Sequence, residues 1–336
     1  MSCSFEPWPA DRWRGALADS VTDVGELLAL LGLQATDLAG SPTASAVRRF
    51  PVRVPRGFVA RMTASDPSDP LLRQVLPLAD EDDEVPGFTA DPVGELGLTL
   101  GGGAMTKYRG RALIVVTGAC AVHCRYCFRR HFPYDEHRAG DSDWSAELEA
   151  IAADPSVDEV ILSGGDPLSL PDRRLRPLVD RIVAIGHVRR VRLHTRLPVV
   201  LPERVDENLV GWIASCPRPV VIVIHANHPA EIDPDVERAL GALRVAGATL
   251  LNQAVLLRGV NDSVAALDGL SRRLADCGVV PYYLHMLDRV AGAAHFEVAD
   301  ERALELMDEL RARLPGYLVP RLVREVPGAP SKVVVS

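Results

Sequence analysis

Lysine is nearly absent from this chain: of 37 basic residues only Lys107 and Lys332 are lysine, and the other 35 are arginine. Arginine therefore serves wherever a surface cation is enough. A lysine that remains is a candidate for work that needs an amine, because a guanidinium cannot be deprotonated to act as a nucleophile. The plainer alternative is chance survival at an exposed position. Also missing is any apolar run of the roughly 18 to 20 residues that a membrane span requires. The start of the chain, Met1-Ser2-Cys3-Ser4-Phe5-Glu6-Pro7, lacks the basic region and apolar core of a secretory signal. A cytoplasmic location is expected. A net charge of −8 and a pI near 5.6 leave no basic excess, so neither nucleic acid nor an anionic membrane is an expected partner. Six cysteines in a reducing compartment read as metal or redox ligands rather than a disulfide framework.

What is present suits one large α/β domain with a smaller appendage: 336 residues, 47% of them hydrophobic and 24% charged. From about residue 112, short apolar runs alternate with amphipathic stretches. The runs lie at 112–117, 157–162, 188–194, 220–225, 249–257 and 279–286. Helices are predicted near 144–153, 172–186, 203–215, 234–246, 263–277 and 299–314. Strands this apolar, separated by helices, fit a parallel sheet covered on both faces. Six βα units in succession predict a partial (β/α)6 barrel; an open doubly wound sheet is the alternative. Either arrangement puts chemistry at the C-terminal ends of the strands. Residues 1–105, with a helix near 21–33 and Pro-rich, acidic connections, read as an N-terminal helical extension. Gly101-Gly102-Gly103 is a candidate hinge into a barrel over 106–320, followed by a C-terminal segment, 321–336.

The run Thr117-Gly118-Ala119-Cys120-Ala121-Val122-His123-Cys124-Arg125-Tyr126-Cys127 begins where the first strand ends. Three thiolates within eight residues can converge on one cubane cluster. Such clusters usually take four cysteines; here no fourth is near, so one iron stays open to a small ligand. Zinc would want a fourth donor, such as His123 or His131. The spacing, and the position after a first strand, favour a [4Fe–4S] cluster on Cys120, Cys124 and Cys127. Cys3, Cys216 and Cys277 are isolated and read as structural.

The cysteine run resembles the signature of the radical S-adenosylmethionine superfamily. The resemblance implies that Tyr126 lies near the adenine of S-adenosylmethionine. It also implies a glycine-rich strand end contacting the methionine part, which Ser163-Gly164-Gly165-Asp166-Pro167 matches; by itself that stretch would read as a turn. Longer stretches resemble the lysine 2,3-aminomutase family across nearly the whole chain. They include Tyr108-Arg109-Gly110-Arg111, Cys127-Phe128-Arg129-Arg130, His225-Ala226-Asn227-His228-Pro229, Leu251-Asn252-Gln253, Pro281-Tyr282-Tyr283 and Ser331-Lys332. Arg129-Arg130-His131-Phe132-Pro133-Tyr134 and the short C-terminus match the bacterial branch that supplies β-lysine for modifying elongation factor P.

This resemblance implies pyridoxal 5′-phosphate carried by Lys332, with Arg111 on its phosphate and Gln253 in another cofactor-contacting stretch. It implies Arg129 on the substrate carboxylate, and Asp288 and Glu325 on the ε-ammonium of L-lysine. Lys107 and Tyr108 either assist or belong to a surface loop. Where clostridial members carry Asp at the second acidic position, this chain has Glu325, a change that shifts the charge by about 1.5 Å. Those members also hold structural zinc through a barrel cysteine and a C-terminal extension. The matching position here is Ser263 and the sequence stops at Ser336, so no zinc is expected. An electron donor of flavodoxin or ferredoxin type and a functional link to a ligase acting on elongation factor P follow from the family. A homo-oligomer is allowed. The rival readings are an aminomutase for another amino acid such as arginine, and a non-catalytic metal-binding protein.

Overall fold

In the computed structural model, residues 5–38, 40–98, 104–134 and 143–336 are described. The candidate hinge Gly101-Gly102-Gly103 and Cys3 lie outside them. Among the described residues, the strands are β1 (Arg111–Thr117), β2 (Glu159–Gly164), β3 (Arg190–Thr195), β4 (Val220–Ile224), β5 (Thr249–Val255), β6 (Val280–His285), β7 (Arg321–Arg324) and β8 (Val333–Val334). They form a single sheet in sequence order. Every pair from β1 to β7 is parallel, and β8 returns antiparallel to β7. Consecutive parallel order with helical crossovers makes a partial barrel.

The sequence reading ends the barrel at six strands. The seventh, Arg-Leu-Val-Arg, is short and half charged, so it carries no apolar run to announce it. Its pairing with β6 (Tyr283 to Arg321, His285 to Val323) is set by the sheet edge that it completes. The crossover helices fall within a few residues of their predicted places: Ser145–Ala153, Asp172–Ala184, Glu207–Ser215, Pro234–Val245, Val264–Asp276 and Asp300–Arg313. Asp206, Asp233 and Ser263 cap three of them by accepting from the backbone N–H three residues on.

The two faces of each strand differ, because side chains alternate along it. Ile114, Val116, Leu162, Val191, Leu193, Ile222 and Leu250 point outward into one hydrophobic core with Leu148, Leu175, Leu240, Leu270 and Leu306 from the helices. The opposite face, absent from that core, carries Ser163, Arg192, His194, His225, Gln253, Tyr283 and His285. The strands are therefore not apolar on both faces; they line a polar lumen.

Residues before β1 brace the mouth of the barrel. Arg125, fully buried between two of the cysteines, donates to Glu81 Oε1 at 2.7 Å and Oε2 at 2.5 Å and to the Phe50 carbonyl at 2.6 Å. Arg130 joins the same Glu81 carboxylate at 2.6 Å. The Arg125 and His123 backbone N–H groups donate to the Gln74 and Arg53 carbonyls at 2.9 and 3.0 Å. A buried arginine with no partner would cost several kcal/mol, so Glu81 ties the cysteine loop to the N-terminal segment.

Candidate active site at the lumen mouth

Cys120, Cys124 and Cys127 sit on the loop after β1, half-buried and unpaired with one another. Burial, reinforced by the neighbouring thiols, pushes Cys120 well up and Cys127 to about 11. Among the described residues, no three His, Cys, Asp or Glu side chains form a single-ion site. A cubane asks less, since each thiolate binds a different iron, and three thiols on one loop suit iron and sulfide. Arg196, at the end of β3, donates to Cys124 Sγ at 2.8 Å, so a cation already faces a position that would carry thiolate charge.

The glycine turn after β2 docks on this loop. Gly165 and Asp166 donate backbone N–H groups to the Thr117 and Ala119 carbonyls at 2.7 and 2.8 Å. A Cβ on Gly165 would lie 2.4 Å from the Ala119 oxygen, and Gly164 holds φ +122° with its own Cβ direction 2.5 Å from the Thr117 oxygen. Only glycine permits both. Ser163 Oγ accepts from Arg129. Asp166 is less available than the sequence suggests, because it accepts from Thr195 Oγ1 (2.7 Å) and from the N–H groups of Leu168, Arg196 and Leu197 (3.0, 2.6 and 3.2 Å). Burial nevertheless lifts it to about 6. Its work is to shape the turn that presents Arg196.

Tyr126 is buried, and its hydroxyl accepts from Asn227 Nδ2 at 2.7 Å. Arg196 lies over its ring at 5.7 Å and donates to Gln74 Oε1 (2.6 Å) and Glu231 (2.9 Å). Gln74, Arg196, Asn227 and Glu231 form a buried network that the sequence reading missed. The His225–Pro229 stretch marked Asn227, but nothing local marked Gln74 or Glu231.

Both lysines of the chain meet at one carboxylate. Glu325, just after β7, receives Lys332 Nζ at 2.6 Å and Lys107 Nζ at 2.5 Å, and also accepts from the Tyr108 hydroxyl. These cations and donors outweigh burial and hold Glu325 down at about 2. Lys107 and Tyr108 are thus part of this cluster and not of a surface loop. Asp288, after β6, is drawn up to about 7 by burial, against the pull of Lys332. Lys332 Nζ stands 5.8 Å from the centre of the Tyr283 ring. His194, His225 and His285 face the lumen with burial holding all three below the ordinary imidazole range. Their Nε2 atoms are buried and have no hydrogen-bond partner. Such orphaned atoms beside an amine suit a polar guest, and pyridoxal phosphate, with ring oxygen, nitrogen and phosphate, is one.

Arg111 starts β1 at the far end of the lumen, exposed, 3.8 Å from Glu159 and with its guanidinium 5.8 Å from the Tyr108 ring centre. With Arg321 it makes that end cationic, and both act on Tyr283. Gln253 lies opposite Tyr283 in the β5–β6 register. Arg129 is buried at the mouth, but its fork is taken by Glu95, at 2.7 and 2.9 Å. Lys332, Glu325 and Asp288 thus interact with one another, Arg129 joins Ser163 at the mouth, and Arg111 lies at the far end, while Asp166 is spent on its turn.

Residues 114–209 match the model of the radical SAM superfamily. The chain is 50% identical over 322 residues to a protein of Escherichia coli (strain K12) named L-lysine 2,3-aminomutase, covering 95% of this chain and 93% of that one. A protein of the same name from Haemophilus influenzae is 42% identical, with 96% and 95% covered. Another from Clostridium subterminale is 34% identical, with 96% of this chain and 77% of that one covered.

Proposed function

Because this chain belongs to the L-lysine 2,3-aminomutase family of the radical SAM superfamily, we propose that it is an isomerase that moves the α-amino group of L-lysine to C3, giving β-lysine. The observation that carries this reading is the meeting of the three-thiol loop and the Lys332–Glu325 pair on one polar lumen. When bound, a [4Fe–4S] cluster with S-adenosylmethionine supplies a hydrogen-abstracting radical, and pyridoxal 5′-phosphate supplies an electron-accepting ring for the migrating nitrogen.

Cys120, Cys124 and Cys127 would hold the cluster. Tyr126 and Ser163, Gly164, Gly165 and Asp166 would shape the S-adenosylmethionine pocket, with Arg196 balancing thiolate charge at Cys124. Lys332 would carry pyridoxal phosphate, whose phosphate belongs at the cationic far end near Arg111 and Gln253. Arg129 would take the α-carboxylate and Asp288 and Glu325 the ε-ammonium, opposite charges that suit the two ends of a lysine. Glu325 Oε2, which accepts from Lys332 here, would be open to an ammonium were Lys332 to carry the cofactor. The outer core seals the lumen wall against water, which protects a radical from quenching.

No described helix is long and apolar enough to cross a membrane. We place the protein in the cytoplasm, reduced by a flavodoxin- or ferredoxin-like donor, with β-lysine passing to a ligase that modifies elongation factor P. Anaerobic incubation of the reconstituted protein with L-lysine, S-adenosylmethionine and a reductant, followed by chiral analysis, tests the reading. β-Lysine is the expected product; its absence, with L-arginine converted instead, would move the protein to another substrate.

A further inference from the structure

We propose that Glu95 is an internal stand-in for the substrate carboxylate, holding Arg129 until a substrate displaces it, and so sets how tightly an α-amino acid binds. The inference rests on the reading of Arg129 as the carboxylate receptor. Its starting point is a donor count. A guanidinium has five N–H donors. In Arg129, Nε and Nη2 donate to the two Glu95 oxygens at 2.7 and 2.9 Å, while Nη1 donates to Ser163 Oγ at 2.9 Å and the Gly164 carbonyl at 3.2 Å. Four donors are committed, and one remains. Two parallel bonds to a second carboxylate are out of reach while Glu95 stays.

The physical need for a stand-in is plain. Arg129 is 6% exposed, and a buried cation with no partner is costly. Glu95, itself 7% exposed, meets that need. Its negative charge also opposes ionisation of Asp288, which places it within electrostatic reach of the substrate's other end. A substrate carboxylate arriving beside it would meet a like charge across a poorly solvated gap.

Glu95 stands on a segment able to exchange. Residues 90–98 form neither helix nor strand; beyond the buried Val93 side chain, their ties include Lys107 Nζ to the Val93 carbonyl at 3.3 Å, the Glu95 and Leu96 N–H groups to Asp91, and the Leu98 N–H to the Glu95 carbonyl at 3.1 Å. Ser163 and Gly164, by contrast, belong to a central strand hydrogen-bonded on both sides. Of Arg129's partners, Glu95 is the one that the fold holds least firmly. The opposite charge centre follows the same pattern, with Lys107 and Lys332 covering Glu325.

The test uses the full chain loaded with pyridoxal phosphate and without reductant, so that binding occurs without turnover. L-lysine and L-lysine methyl ester are titrated into the native protein and Glu95→Gln, following the cofactor absorbance. Removing an internal competitor raises the population of the competent state, so Glu95→Gln should bind L-lysine at least about fivefold more tightly. The ester, which keeps the ammonium but has no carboxylate to compete, reports any change at Asp288, and its gain should be at least about fivefold smaller than that of L-lysine. Equal or weaker L-lysine binding by Glu95→Gln overturns the inference and makes Glu95 a permanent positioning partner of Arg129. If neither protein responds to L-lysine, the lysine reading fails, and L-norleucine in the same titration judges Glu95 alone: tighter binding to the variant supports the inference, equal or weaker binding overturns it.

Discussion

The outer and inner faces of the same strands follow opposite rules. On β2, Leu162 packs fully buried under the helices, while its neighbour Ser163 turns inward to Arg129. On β3, Val191 and Leu193 enter the core, while Arg192 and His194 line the lumen. Outward positions are interchangeable in chemistry and constrained in volume. Inward positions carry buried polar atoms without a protein partner, such as Nε2 of His194, His225 and His285. Buried imidazole nitrogens without a protein partner can be satisfied by a polar guest. The outer face supplies apolar burial, and the lumen supplies polar atoms.

The sharpest break in this comparison comes at the mouth. Cys124→Ala should abolish iron binding and turnover while leaving the melting temperature of the iron-free protein nearly unchanged; iron analysis and calorimetry check both. Lys332→Ala should lose the visible-edge absorbance that pyridoxal phosphate gives when linked to a lysine, and persistence of that band would move the linkage elsewhere. Leu162→Ala tests the other face: it should cost about 2–5 kcal/mol of unfolding free energy, measured by denaturant titration. Iron content per folded molecule should stay the same. Gly165→Ala lies between the faces. Its Cβ would overlap the Ala119 carbonyl, so the cysteine loop must shift; iron loading should fall, with a loss of about 1–3 kcal/mol in unfolding free energy.

The smallest effect is a pH dependence. Asp288 is raised to about 7, so in the empty lumen it is protonated below that pH and ionised above it. An ammonium binds its ionised form. The KM for L-lysine should therefore rise as pH falls below 7, by up to about tenfold per unit, and this dependence should flatten in Asp288→Asn. Glu325, held at about 2, stays ionised throughout this window and contributes no slope.

Much of this was readable in advance for identifiable reasons. Strand runs such as 112–117 announce themselves by unbroken apolar character, and the cysteines by spacing that few other needs explain. Lys332 stood out because lysine is so scarce here, and the structure pairs it with Glu325. β7 was not, since four residues with arginine at both ends resemble a loop until β6 offers them an edge. Glu95, Gln74, Glu81 and Glu231 were hidden for another reason: an acid or amide in a polar stretch looks solvated, and only burial against a distant arginine gives it a role.

By itself, the sequence determined the order of the first six strands and the helices between them, the three-thiol spacing and the scarcity that singles out two lysines, because each is a local property of composition or spacing. Which face of each strand looks inward, and which partner each buried charge finds, was decided by the tertiary structure. Those outcomes depend on pairs such as Arg129 with Glu95, Arg196 with Glu231 and Arg125 with Glu81, separated by 34, 35 and 44 residues. No local pattern encodes them; they arise when closing the barrel strips water from charges that must then find one another.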